Sequence, residues 1–392
     1  ESLQSKIDAA AEGDIIRIAD GTYSEYITLE KGVTIQPVLK PGNVTLSGDW
    51  TIQNCSAPIV LNGFRIDGVV NGSNCDDVIF KGMTVTSGNT IFNDCGWKIQ
   101  DSATLSISST DSDTVLMDSV VTGSLSHQTA SKKCTVFRSE ITGMIDVNAQ
   151  KMWLGYSKMQ YADIDAIEGV MVGCRVDGKD ISRNLVQVNS GTMTIQNSIL
   201  QSTYCSAGTH NITANGVAVM GTSFVSVLNS VVHDLQSFYY SSGTYYYNNS
   251  INGIFVSSTA DAYISGCIFE DFSNREGGTG SGFAINAPAH VKVEHCVYYL
   301  TGGATYGGVI PTDFNLRDPK FVDLVNYELG TGSPCINAGN PAAKYNDLDG
   351  SKNDIGCWGG HYYDADGWTT DLPVVLSAKA TPWTAVQGET IK

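Results

Sequence analysis

The residues best able to do chemistry lie far apart in this chain but at related intervals. Glu140, Lys158 and Arg175 follow one another at steps of 18 and 17 residues. If each step is one coil of a repeating structure, the three stand side by side. A lysine next to an arginine then offers a base and a carboxylate clamp, as β-elimination from a uronic acid needs. The competing reading is a solvated ladder of ion pairs along a flat face. His233-Asp234 and Glu270-Asp271 occupy equivalent places in two later repeats. Carboxylates grouped with an imidazole suit hydrolysis by paired acids, or a Ca2+ ion bridging substrate carboxylates. The alternative is a turn that is acidic because turns are.

Three further stretches add candidates. Arg275 lies in the Gly-rich stretch EDFSNREGGTGSGF, and QSFYYSSGTYYYNNS holds Tyr239, Tyr240, Tyr245, Tyr246 and Tyr247. Exposed tyrosines stack on sugar faces while their hydroxyls hydrogen-bond; the bland alternative is a loop folded onto its own coil. Asp347, Asp349, Asn353 and Asp354 surround Gly350 at a spacing that can ligate Ca2+, without the terminal Glu of an EF-hand loop, so a structural turn competes here too.

The elements that must position these side chains repeat. GFRIDG, GMTVTSG, DSVVTG, RSEITG, GCRVDG, NSILQS, NSVVHD and GCIFED share one pattern, a small residue, a variable one and an apolar one. Alignment places Phe64, Met83, Ser102, Ser119, Ser139, Ser157, Cys174, Ser198, Ser230, Cys267 and Cys296 in one column. The first steps are 19, 19, 17, 20, 18 and 17 residues, and the last four lengthen to 24, 32, 37 and 29. A step this short, with β-branched alternation around it, fits one coil of a parallel β-helix and no helical repeat or propeller blade. The expected fold is therefore all-β, a single-stranded right-handed parallel β-helix of about 12 coils. The Ser/Cys column points inward, and Ile66, Val85, Val121, Ile141, Met159, Val176, Leu200, Val232, Phe269 and Tyr298, two residues on, form a core stack. The residue between them faces out. Cys55, Cys75 and Cys95, at steps of 20, stack likewise. Residues 2–12 form an amphipathic helix with Leu3, Ile7, Ala10 and Ala11 on one face, capping the open end. The longer late steps are insertions near 178–184, 202–214, 234–251 and 271–281, which wall a cleft on one side.

Composition narrows the function. With 392 residues, 40 acidic side chains against 23 basic ones and a net charge of −17, nucleic acid is excluded as a partner. A polyanionic substrate would need a local basic strip or a bound cation. No apolar run approaches the ~20 residues of a membrane span, so membrane insertion is not expected.

The opening, SLQSKIDAAAEGDIIRIADGTYSEYITLEKGVTIQP, resembles the start of secreted β-helix proteins of the pectate-lyase-like superfamily. DPKFVD, YELGTGSPCINAG and DLDGSKNDIGCWGG resemble the closing coil of bacterial β-helix repeat proteins. The resemblance covers residues 1–360 and implies the fold and a secreted or cell-surface address. It leaves the reaction open, since that superfamily holds lyases, hydrolases, esterases, epimerases and non-catalytic surface proteins. The GxVDFIFG-type strand and QGR of a pectin methylesterase are missing, as are the Lys and Arg motifs of the better-known alginate and chondroitin lyases. Cys335 and Cys357 stand in the closing motif where the resembling proteins often carry Ala, so in an oxidising compartment they are expected to pair. Residues 361–392 resemble the first strand of a bacterial immunoglobulin-like module, implying one piece of a longer modular chain; a tail packed along the solenoid is the plainer reading.

The expected function is a carbohydrate-active β-helix, monomeric, binding a polysaccharide or surface glycan along a loop-walled groove. If it cleaves, it is a lyase or hydrolase, with Ca2+ the one cofactor implied. The competing expectation is a non-catalytic adhesin or glycan-binding rod.

Overall fold

The computed structural model describes residues 2–39, 41–178, 184–202, 213–235, 239–241, 244–246, 250–270, 282–299 and 304–360. Apart from one antiparallel hairpin, their strands pair in parallel, coil upon coil, in a solenoid of about 12 turns with one short helix at its start. A single register line runs Thr22, Thr45, Arg65, Thr84, Ala103, Val120, Glu140, Lys158, Arg175, Ile199, Val231, Ile268, Val297. The sequence alignment is thus the hydrogen-bonding register of the molecule.

The Ser/Cys column is buried throughout, as is the stack two residues on. Each serine has two partners. Ser139 Oγ donates to the Phe137 carbonyl at 2.8 Å and accepts the Ser119 N–H from the coil before at 3.2 Å. Ser102, Ser119, Ser198 and Ser230 do the same. Cysteine substitutes because its thiol reaches the same carbonyl: Cys174 Sγ lies 3.5 Å from Val172 O and Cys267 Sγ 3.5 Å from Ser265 O. The hydroxyls satisfy turn groups that would otherwise be buried without partners.

The residue before each column position turns the chain with a positive φ, from Gly63 and Gly82 through Asp101, Asp118, Arg138, Tyr156, Gly173, Asn197, Asn229 and Gly266 to His295. Gly, Asn and Asp tolerate this conformation best, which explains their abundance there. Cys55, Cys75 and Cys95 follow Asn54, Asn74 and Asp94 in a second turn of the same kind and sit in mutual register.

The helix is shorter than expected, Leu3–Ala9, with Leu3 and Ile7 buried and Ser2 as its N-cap. It stops at Ala10, and Gln4 bonds both ways to the backbone of Thr28 at 2.8 and 3.0 Å, covering the edge of the first coil. Such a cover removes an exposed strand edge.

The far end departs from expectation. Residues 318–360 do not finish the solenoid as one more coil; they run back over its outside as a strap. Outward positions Ile199, Val231, Ile268 and Val297 are consequently buried, in a second core with Tyr327, Cys335, Ile355 and Cys357. Asn197 Nδ2 donates to the carbonyls of Cys357 and Gly359 at 3.1 and 2.6 Å, and Asn229 Nδ2 to Asp354 O at 2.7 Å. The backbone N–H of Gly356 reaches Gly266 O at 2.7 Å. Cys335 and Cys357 are free buried thiols, so the expected disulfide is not formed. Burial in the apolar strap interface pushes both thiols up to about 12.

Candidate functional site

Asp177, Gln201, His233, Glu270 and Tyr299 form a row on five consecutive coils. The strands that carry this row all end at one corner, where the long insertions leave. The sequence placed this row correctly. It did not foresee that the strap's Tyr327, only 1% exposed, lies over it. The Tyr327 hydroxyl donates to Gln201 Oε1 at 2.7 Å and lies 2.9 Å from His233 Nδ1. The other ring nitrogen, Nε2, faces Glu270 Oε2 at 3.6 Å. The side chains of His233 and Glu270 are only 11% and 13% exposed. The imidazole is therefore held between strap and neighbouring coil, with Nδ1 bonded to the Tyr327 hydroxyl and Nε2 facing the Glu270 carboxylate.

Glu140, Lys158 and Arg175 are register neighbours, as their spacing implies. Arg175 nevertheless does not stand open beside Lys158. Its guanidinium donates to the Val325 carbonyl and to Asn326 Oδ1 of the strap. One guanidinium nitrogen of Arg175 thus anchors the strap at an exposed position.

The remaining candidates divide. Tyr239–Ser241 and Thr244–Tyr246 form an antiparallel hairpin in which Tyr239 pairs with Tyr246 and Tyr240 with Tyr245. Asp234 is placed by its strand, Val231–Leu235, at a register shift between Gln201 and Ser202. Tyr247, Asp271, Arg275 and the tail 361–392 lie outside the described residues.

Around Gly350 the carboxylates cap backbone amides. Asp347 Oδ1 accepts from the N–H groups of Gly360 and Asp354 at 2.5 and 3.3 Å, and Asp354 Oδ1 from Asn337 N at 2.6 Å. Asp349 Oδ1 takes both the N–H and the hydroxyl of Ser351, which hold its carboxyl below the usual range. Asn353, 2% exposed, donates to Tyr345 O at 2.7 Å. These bonds are those of a structural turn, and they engage one oxygen each of Asp349 and Asp354. Among the described residues no three His, Cys, Asp or Glu side chains gather as a metal site.

Two features went unread in the sequence. His127 is fully buried, its Nδ1 2.9 Å from Thr114 Oγ1, which lies 3.2 Å from Ser109 Oγ, itself the acceptor for Trp97 Nε1 at 3.0 Å. Burial lowers its pKa to about 4. The second is an aromatic cluster on an outer sheet face at Phe137, Trp153 and Tyr156. The signal for it was Gly155, a strand glycine that leaves room for rings.

No protein-family model and no curated protein matches this sequence. Among solved structures the chain is similar to pectate lyase Pel9A at 13% identity and a TM-score of 0.36, over 92% of this chain and 91% of that one. It is similar to the A-module of the Azotobacter vinelandii mannuronan C-5 epimerase AlgE4 at 13% identity and 0.34, over 81% and 93%. The alginate lyase AlyF-OU02 follows at 11% and 0.31, over 92% of each. The parallel β-helix rests on the strand register described above, and at these scores no residue role passes from these proteins to this chain. No helix among the described residues is long and apolar enough to cross a membrane.

Proposed function

We propose that this chain is a glycan-binding β-helix, a rod that offers its long corner insertions to a polysaccharide, and that its rows of Lys, Arg and His serve the fold. One observation carries the reading: the strap occupies the face where the sequence put the chemistry. It takes Arg175 through the Val325 carbonyl and His233 through the Tyr327 hydroxyl. A groove filled by the protein's own chain does not also admit a polymer. The hairpin that pairs Tyr239 with Tyr246 and Tyr240 with Tyr245 gathers four tyrosines, a residue type suited to sugars, in one short stretch. A secreted or surface address, within a larger modular chain, accompanies this reading.

The test is a screen across neutral and acidic polysaccharides, with and without Ca2+. It measures binding, the ultraviolet absorbance of newly formed unsaturated uronate, and new reducing ends. Binding without either product supports the rod. A rise in either product signal refutes it.

A second reading, a lyase or hydrolase, draws on the 3.6 Å approach of His233 Nε2 to Glu270 Oε2 with the Tyr327 hydroxyl at hand. A proton donor and acceptor so close are what acid–base catalysis uses. In that case His233→Gln abolishes product formation in the same screen while binding persists.

A further inference from the structure

We infer that Cys75 is an oxidation site, at which a small hydroperoxide converts Cys75 and Cys95, thiols that face each other across adjacent coils, into a disulfide. Cys55, Cys75 and Cys95 are register partners on three consecutive coils. They are 3%, 3% and 2% exposed, yet Asn54 and Ser56 flank the first, Asn74 and Asp76 the second and Asp94 the third, all exposed residues. The column thus lies one side chain below the surface, shallow enough for an oxidant little larger than water.

Each sulfur lies near the carbonyl two residues back, at 3.2 Å for Cys55 and Cys75 and 3.4 Å for Cys95. Ser112 continues the column, its hydroxyl donating to Thr110 O at 2.8 Å and accepting the Cys95 N–H at 3.0 Å. With three cysteines in succession the sulfurs also meet one another. The Cys75 sulfur hydrogen-bonds the thiols of Cys95 and Cys55 and the Cys55 N–H. These bonds, that of Cys95 foremost, hold the Cys75 thiol below its ordinary range. The same contact pushes Cys95 up, and burial pushes Cys55 up to about 12. The middle sulfur is therefore the nucleophile, and its neighbours keep their protons.

Cys95 is the partner because its coil closes onto that of Cys75 beside the pair. A Cβ on Gly96 would lie 2.3 Å from Asp76 O, an approach that only glycine permits. Between Cys75 and Val78 the strand carries one residue more than between Cys95 and Trp97, a bulge that gives the turn slack. Register partners stand ~4.8 Å apart, within the roughly 4.4–6.8 Å between Cα atoms that a disulfide spans. Other thiols lack this arrangement. Cys134 has Thr114 and Met152 as its register partners, and burial pushes Cys296, adjacent to Cys267, well up.

The chemistry takes two steps. The Cys75 thiolate attacks one oxygen of the hydroperoxide; the O–O bond breaks, the leaving oxide takes up the proton that Cys75 had lost to water, and Cys75 becomes a sulfenic acid. The Cys95 sulfur then attacks the Cys75 sulfur; the S–S bond forms, the S–O bond breaks, and the oxygen leaves as water with the Cys95 proton. Two thiols lose two electrons and the peroxide gains them.

The test treats the reduced chain with hydrogen peroxide near neutral pH, alkylates it under denaturing conditions and maps the unreduced peptides by mass spectrometry. A Cys75–Cys95 disulfide should form at least about tenfold faster than Cys134 is oxidised, and dithiothreitol should reverse it. Cys75→Ser should abolish it. In the double variant Cys55→Ser, Cys95→Ser no neighbouring thiol resolves the intermediate, so dimedone added as the chain is denatured should capture Cys75 as its sulfenic acid adduct. Should Cys75→Ser fail to fold, the wild-type map and the double variant decide. Oxidation of Cys134 before any bond at Cys75, a Cys267–Cys296 disulfide formed first, or a folded double variant without the adduct overturns the site. A bond from Cys75 to Cys55 in place of Cys95 overturns the pair.

Discussion

The Tyr327 hydroxyl lies 2.9 Å from His233 Nδ1, and 94 residues separate the two in the chain. The bond joins a strap outside the solenoid to a coil within it. Tyr327→Phe keeps the ring against Phe321 and His233 but strips His233 and Gln201 of a partner. Leaving buried polar groups unpaired costs about 1–3 kcal/mol. The expected outcome is earlier proteolysis after residue 316 and a lower melting temperature, read on the same samples; unchanged values would mean that the strap is held by its apolar contacts alone.

His127 should set an acid limit on stability. Its pKa of about 4 in the folded chain lies below the ordinary 6.5, chiefly through burial, with Asp113 pulling the other way. The fold therefore favours the neutral ring. Its contribution is fully present above pH 6.5 and is lost as pH falls from 6.5 towards 4, by up to about 3 kcal/mol. Thermal melts of wild type and His127→Gln at pH 7 and pH 4 check this: the wild type should lose more stability between them than the variant does.

The serine column predicts a ranking. Ser139→Ala removes the donor to Phe137 O and the acceptor for Ser119 N–H, and should destabilise by about 1–3 kcal/mol. Ser139→Cys should cost less, since Cys174 and Cys267 already make the carbonyl contact from equivalent places. Denaturant titration of the two variants gives the order.

The nine described cysteines are buried, and burial pushes Cys134 and Cys174 up to about 12. A thiolate is the reactive species, so Cys134, Cys174, Cys335 and Cys357, all held near 12 by burial, should resist a thiol reagent in the native state and react on unfolding. Mass spectrometry after pulsed alkylation reads this out, and early labelling of Cys335 or Cys357 would mark an opening strap.

The coil repeat was legible because hydrogen-bonding register and side-chain period are one pattern in a solenoid: Ser139, Ser157 and Cys174 recur because each fills the same place. The row from Asp177 to Tyr299 was legible for the same reason. The strap was not, because its contacts are long-range and follow no period. Its trace in the sequence was nonetheless present, since Val231, Ile268 and Val297 are apolar at a column where Glu140 and Lys158 are charged. An apolar residue at a nominally outward place calls for a cover. Arg175 misled because spacing gives neighbours along one face and says nothing of what crosses it. Trp153 escaped notice because its meaning depends on the stacking over Phe137, a contact between coils that residue type alone does not signal.

The strap also decides how the rod would bear load. A bare solenoid peels from its end, one coil at a time, because each coil touches only its neighbours. Here Gly359 and Asp354 lie beside Asn197 and Asn229 and not on the terminal coil, and the segment before them crosses the coils of Arg175, Ile199, Val231, Ile268 and Val297. Tension applied at Gly359 would enter part-way along the rod and shear several contacts at once. The last coils would be held in compression beneath the strap, which makes the weakest end of the solenoid its most guarded one.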